Sequence, residues 1–308
     1  MQIVLPMEML CMNNNILITG AKGQLGQELQ LLVEEKNHDL AQATFYFTDR
    51  DSLDICDENK LNAYIDAHAI DTIINCAAYT NVDKAEDDED MAFAINSTAV
   101  KSMATLAAKK AIRLMHISTD YVFDGKSYRP IDENTPTNPD GVYARSKLEG
   151  ENAIRTLSPQ GAIIIRTSWV YSSFGSNFVH TMLKLGKERD SLNVVCDQIG
   201  TPTYARDLAK SILEILKEES VAKEVKTYHY SNEGVCSWYD FAHAIFEEED
   251  IACIVNPIST EQYPTPAKRP HYSVLNKEKI KSDYSMVIPH WRESLKVCLD
   301  VLNGTKIK

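Results

Sequence analysis

Gly20-Ala21-Lys22-Gly23-Gln24-Leu25-Gly26 lies directly between a short apolar run, Ile16-Leu17-Ile18-Thr19, and a stretch with helical spacing from Gln24 to Glu35. No other feature limits the fold as much. Glycines at a strand-to-helix turn allow a tight bend, close approach of backbone to a ligand, and close helix–strand packing. The free N–H groups at the helix start favour an anion such as a pyrophosphate. The segment therefore predicts a dinucleotide-binding βαβ unit, with Gly20, Gly23, Gln24, Leu25 and Gly26 around the phosphates.

The rest of the first 170 residues extends that unit. Thr44–Thr48, Thr72–Cys76, Leu114–Ser118 and Ala162–Thr167 read as further strands, and Met91–Lys110 as a long amphipathic helix. Short β-branched runs alternating with helical patterns signal stacked βαβ units. Strands that are continuously apolar imply burial on both faces. The expected fold is α/β, a Rossmann-type doubly wound parallel sheet. After about residue 170 prolines punctuate shorter elements, with helices expected near Asp207–Glu218, Trp238–Glu248 and Trp291–Leu302. The expected division is a leader over residues 1–14, an NAD(P)-binding Rossmann domain over 15–170 to which later segments return, and a smaller lobe over 171–308 that is mainly substrate-binding. That lobe should close over the C-terminal edge of the sheet, where such folds place ligands.

Charge and cysteine usage narrow the partners. A net charge of −12 leaves no basic footprint for nucleic acid. It does not exclude one anionic small molecule held by a few local Arg and Lys. Seven cysteines, with no C-x-x-C pair, read as small buried hydrophobes in a reducing compartment, so the expected location is cytoplasmic. No apolar stretch is long enough for a membrane span. The acidic runs Glu86–Asp90 and Glu247–Asp250 read as solvated surfaces or helix ends.

Several further positions carry chemistry. Asp49 closes the second strand, where a carboxylate can hold an adenosine ribose 2′-OH; Arg50, beside it, can accept a 2′-phosphate. The pair leaves NADPH and NADH both open. Tyr143 and Lys147 form a Y-x-x-x-K pair, which a helix places on one face. An ammonium there would favour the phenolate and let Tyr143 act as an acid near neutral pH. Such pairs arise by chance, and its place after Ser118-Thr119-Asp120 at the end of the fourth strand gives it weight. Ser118 and Thr119 can reach a substrate carbonyl. Trp169 follows the fifth strand on the ligand edge, whereas Trp238-Tyr239 reads as core.

ILITGAKGQLGQEL at 16–29, NCAAYTNVDKAE at 75–86, STDYVFDG at 118–125, YARSKLEGE at 143–151, IRTSWVY at 165–171, DQIGTPT at 197–203 and YPTPAKRPHYSVLN at 263–276 give the chain a resemblance. It resembles the extended short-chain dehydrogenase/reductases, whose glycine spacing it shares, and within them the dTDP-4-dehydrorhamnose reductase family. The likeness runs over nearly the whole chain from Asn15. It implies reduction by NADPH or NADH of the C4 ketone of a dTDP-4-keto-6-deoxy sugar, the last step of dTDP-rhamnose formation. Carried over, it implies Tyr143 as proton donor, Lys147 as its partner on the nicotinamide ribose, and Thr119 polarising the ketone. Asp120 and Trp169 would contact the sugar, Arg269 the diphosphate, and Asp54, Ile55, Ala78, Tyr79 and Thr80 the cofactor. Rival readings are another nucleotide-sugar ketoreductase or epimerase, or a non-catalytic NADP-binding regulatory subunit. Intact Thr119, Tyr143 and Lys147 oppose the last.

No metal is expected. Some family members gather three glutamates at a subunit contact to hold a divalent cation. The matching positions here read Glu28, taken as a surface glutamate, Arg206 and Arg292. Hard cations require oxygen ligands, so one arginine could pair with Glu28 instead. A monomer or a weak homodimer is the expectation.

Overall fold

The computed structural model describes residues 14–36, 40, 42–217 and 224–305. Of the expected leader only Asn14 is among them, and Glu218, the expected end of one helix, lies outside them. Six strands form one parallel sheet: β1 (Asn15–Thr19), β2 (Thr44–Thr48), β3 (Thr72–Asn75), β4 (Arg113–Thr119), β5 (Ile163–Thr167) and β6 (Lys226–His229). Their order is β2-β1-β3-β4-β5-β6, so the chain runs outward from β1 to β2 and then restarts on the other side at β3. The doubly wound α/β expectation holds.

Both faces of the sheet are covered, as the apolar strands require. Ile16, Ile18, Ile74, Met115 and Ile165 pack under α1 (Gln24–Glu34) and α6 (Ala205–Leu216) through Leu25, Leu29, Leu208 and Ile212. Leu17, Ile73, Leu114 and Ile164 point the opposite way. They meet α2 (Glu58–Ala67), α3 (Ala99–Lys110) and Ile154 of α4 (Val142–Leu157). Helix α2 is not conspicuous in sequence; its amphipathy is weak, and it is set by Leu61, Ile65 and the Asp57 carboxylate, which accepts from Lys60 N at 3.0 Å.

The helix expected over Met91–Lys110 is interrupted. A helical turn at Glu89–Phe93 leads into one widened π turn over Ala94–Thr98 before α3 begins. Such turns often mark functional positions. Here it carries buried Asn96, which accepts from Tyr79 N at 2.9 Å and donates to the Tyr79 carbonyl and to Ser146 Oγ on α4. The acidic run beside it also holds α4, since Glu86 Oε1 accepts from Val142 N at 2.9 Å.

The chain after residue 170 divides its work. It returns α6 and β6 to the sheet and builds a separate apolar core from α5 (Phe178–Glu188), α7 (Trp238–Glu248) and α8 (Trp291–Leu302), around Val179, Phe241, Ile245, Trp291 and Leu295. The parallel strands Ser191–Val195 and Ile254–Ile258 flank that core.

Candidate active site

The reversal between β1 and β3 opens a cleft outside the carboxyl ends of the strands, the general ligand position in open α/β sheets. The cleft holds about 1060 Å³ and is lined by residues from both halves of the chain. Gly20 starts it with φ +73°, and a Cβ there would stand 2.7 Å from Ala77 N. Gly26 allows helix and loop to touch, because its Cβ would meet the Gly20 carbonyl at 2.4 Å. Gly23 precedes α1 without supplying any side-chain cap. The first N–H groups of that helix therefore face the cleft without a side-chain acceptor, which suits a pyrophosphate.

Gly20, Gly23, Gln24, Leu25, Asp49, Arg50, Asp54, Ile55, Ala78, Thr80, Thr119, Asp120, Tyr143, Lys147 and Trp169 all line this one cleft. Gly26 does not; its part is packing. Asp49 is already engaged: Lys22 reaches across from the glycine loop to 2.6 Å, and the Ser52 amide donates to the same carboxylate. Those contacts, Lys22 foremost, hold Asp49 well below the usual carboxylate range and raise Lys22. This part of the cleft therefore presents two cations, Lys22 and Arg50, beside two carboxylates, Asp49 and Asp51, both paired with Lys22. Sequence reading passed over Lys22.

Two expected contacts point elsewhere. Tyr79 turns its ring into the small cluster of Ala85, Ala92 and Val142, and its hydroxyl donates to Asp88 at 3.2 Å, because Asn96 grips its backbone from both sides. Arg269 is not on the cleft wall. Its planar fork holds Asp83 bidentately at 2.6 and 3.1 Å, geometry that fixes the guanidinium in place. In this arrangement Arg269 is engaged with Asp83 and does not line the cleft.

Thr119, Asp120, Tyr143 and Lys147 meet at the ends of β4 and the first turns of α4. Burial pushes the Tyr143 phenol up to about 12 although a hydrogen bond to Thr119 works against it. This differs from the expected acidic phenol. The reason is where Lys147 points: its Nζ lies 2.7 Å from the Ile117 carbonyl and 3.2 Å from His116 Nε2. Burial brings Lys147 down to about 8. Asp120, also buried, is raised to about 7 by desolvation; one oxygen accepts from Thr119 and the other has no partner among the described residues.

Trp169 occupies the far wall in a left-handed conformation, φ +48°, which is strained for a bulky residue. It stacks on Trp238 at 3.6 Å between ring centres, the ring planes nearly parallel at 12°. Trp238 was read as core, but both indoles border the cleft. Only tertiary packing brings them together, so no local signal marks Trp238.

Glu28 is fully buried, correcting the surface placement. It accepts from Ser172 Oγ and faces Arg206 at 3.6 Å, and Arg206 also pairs with Glu35. Arg292 lies apart on α8 beside Glu247. The first two of the three positions thus form an ion pair within one chain.

A family model described as RmlD substrate binding domain matches residues 14–303. A dTDP-4-dehydrorhamnose reductase of Aggregatibacter actinomycetemcomitans is 42% identical over 291 residues, covering 91% of this chain and 97% of that one. The crystal structure of a dTDP-4-dehydrorhamnose reductase from Clostridium acetobutylicum is similar with a TM-score of 0.87 and 42% identity, over 94% of this chain and 99% of its own. Another from Bacillus anthracis, solved in complex with NADP, gives 0.86 and 37% over the same shares. Similarity of this extent, on a doubly wound fold with one cleft at its switch point, means that the chain belongs to the dTDP-4-dehydrorhamnose reductase family.

Proposed function

We propose that the protein reduces the C4 ketone of dTDP-4-dehydro-β-L-rhamnose to dTDP-L-rhamnose using NADPH or NADH, the last step of dTDP-rhamnose formation. One observation carries this reading: Thr119, Tyr143 and Lys147 face the glycine loop across a single cleft. Residues 15–170 serve as the cofactor domain and also carry Thr119, Asp120, Tyr143 and Trp169, while residues 171–308 add Trp169's partner Trp238 and Gly175, Ser176 and Asn177 to the cleft wall. Among the described residues no helix is long and apolar enough to cross a membrane. The reading places the enzyme in the cytoplasm, as a monomer or a weak homodimer.

A nicotinamide cofactor supplies the hydride when bound. The uncapped start of α1 would hold its diphosphate, and Lys147 would reach its ribose. Charge builds on the sugar O4 during reduction. Tyr143 Oη donates its proton there, and Thr119 turns its one hydroxyl proton from Asp120 Oδ1 to the same oxygen. Asp120, with one free oxygen, takes a neighbouring sugar hydroxyl. Stacked Trp169 offers a flat apolar wall to the hexose. The test is cofactor oxidation with dTDP-4-dehydrorhamnose, run with NADPH and with NADH, beside a panel of other dTDP-4-keto sugars. Oxidation fastest with that substrate is expected. Preference for another sugar, or none oxidised, defeats the proposal.

Gly23→Val tests the phosphate cradle separately. A Cβ at this position meets the Gly20 carbonyl at 3.2 Å, so the loop must give by a few tenths of an ångström, while φ is an ordinary −75°. The added methyls nevertheless stand where a pyrophosphate must lie against the helix start. Cofactor Kd measured by fluorescence should rise by about tenfold or more, some 1.4 kcal/mol. An unchanged Kd in a folded variant reduces the loop to a turn.

A further inference from the structure

Thr19, Asn75 and His116 are register neighbours across three adjacent strands, β1, β3 and β4. All three are buried, with 0%, 1% and 0% exposure, directly beneath Lys147 at 2%. Their hydrogen bonds leave little freedom. Asn75 Oδ1 accepts from Ala77 N at 3.1 Å and from Thr19 Oγ1 at 2.7 Å. A backbone N–H can only donate, so the amide cannot be turned over. Asn75 Nδ2 is then the donor to His116 Nδ1, 3.0 Å away. With Nδ1 accepting, a neutral imidazole carries its one proton on Nε2. That N–H points at Lys147 Nζ, 3.2 Å away.

An ammonium has three donors and no acceptor. Facing His116 Nε2–H, it would set donor against donor in a buried site, and an imidazolium would add a second mismatch at Asn75. A neutral amine resolves both contacts: its lone pair accepts from His116, and one N–H donates to the Ile117 carbonyl at 2.7 Å. We propose that His116 and Asn75 are positioning residues that hold Lys147 as a neutral amine in the cofactor-free enzyme, and that the lysine gains its proton when the cofactor binds. This rests on the cofactor reading above.

The groups around Lys147 agree. From β3, the Cys76 thiol is pushed up to about 12 by burial and stays uncharged. From its own helix, Tyr143 is a neutral phenol and Glu151 lies one turn on, but that carboxylate is taken by Arg166 of β5 at 2.7 Å, by Arg155 at 2.7 Å and by Ser118. From the end of β4, Asp120 is held up near 7 by desolvation and bonds Thr119. Among the described residues no carboxylate pairs with Lys147. Burial lowers its own value to about 8 and holds His116 well below the ordinary imidazole range, so His116 stays neutral. A dinucleotide would bring the missing charge. Its diphosphate is anionic and its ribose hydroxyls accept, and both favour an ammonium.

The test is titration calorimetry of the full-length enzyme with NADPH and with NADH in buffers of different ionisation enthalpy, which gives protons taken up per cofactor bound. At about pH 8.5 a 2′-phosphate is fully ionised and cannot contribute, and uptake should approach one proton. Asn75→Asp is the decisive variant. Its carboxylate would still accept from Thr19 and Ala77 N–H, and would draw the ring proton to Nδ1, leaving Nε2 to accept from a permanent ammonium. Uptake should then fall close to zero with binding retained. His116→Gln, whose side-chain carbonyl can accept where the ring N–H donates, should do the same. Binding without proton uptake in the wild type overturns the inference, as does full uptake in both variants. If neither cofactor binds, the proposed function fails and this inference with it.

Discussion

Tyr143→Phe should lower kcat by about 10²–10⁴, the range for a lost general acid, with cofactor Kd nearly unchanged. The split follows from what the ring and the hydroxyl each do. The ring packs with Ala85, Ala92 and Val142 and meets Tyr121 edge-on at 5.5 Å, contacts that phenylalanine keeps. The residue is half-buried on the cleft wall, with Thr119 as the hydroxyl's hydrogen-bond partner. Held up near 12, it stays protonated across the working pH range, so the donor form is the ground state and the alkoxide at O4 calls on it. Replacing it leaves that charge with Thr119 alone. Stopped-flow measurement of a single turnover, beside a cofactor titration, separates chemistry from binding. A single-turnover rate close to wild type removes Tyr143 from the mechanism. A large rise in cofactor Kd would mean that the hydroxyl serves binding rather than proton transfer.

What could be read before the structure was mostly local. The turn at Gly20–Gly26 is bounded by its own strand and helix, and Tyr143 and Lys147 share a helix face by spacing alone. The exceptions are side chains whose direction is set by partners far along the chain. Tyr79 was expected on the cofactor; Asn96, from a π turn hidden in an amphipathic pattern, turns it away. Arg269 was expected on a diphosphate; Asp83 claims its fork. Glu28 sits on the first helix of the fold and reads as exposed until Ser172 and Arg206 close over it. Trp238 reads as core because only its stack on Trp169 brings it to the cleft. His116 stands between Met115 and Ile117 in a buried strand, where a histidine suggests a filled core position. The available signal was in register: Thr19 and Asn75 are the polar last residues of β1 and β3, and pairing places His116, in the middle of β4, in one row with them.

Glu151→Ala should cost about 3–5 kcal/mol of folding stability, the range for removing one partner of a buried ion pair. Glu151 is fully buried at the base of α4. Arg166 bonds it through Nε at 3.0 Å and Nη2 at 2.7 Å, Arg155 through Nη2 at 2.7 Å, and Ser118 Oγ donates as well. Burial alone would raise this carboxyl, but Arg166 and its other partners overturn that and hold it below the ordinary glutamate range. The contribution is therefore full above the unfolded value, about 4.3, and is lost as pH falls through the lower folded value. Truncation would strand Arg166, also buried, with only the face of Phe123 at 4.9 Å beneath its charge. Glu151→Gln keeps the shape and one acceptor, and should cost less than the alanine. Replacing both partners by apolar residues of similar volume should cost least, since the desolvation of each charge disappears with it. Urea unfolding of all three variants at neutral pH measures the order. An alanine variant within about 1 kcal/mol of wild type would show that water reaches Arg166 after all. The same series bears on catalysis, because α4 carries Tyr143 and Lys147 two turns and one turn before Glu151. Loss of this anchor should loosen both side chains before the sheet itself gives way.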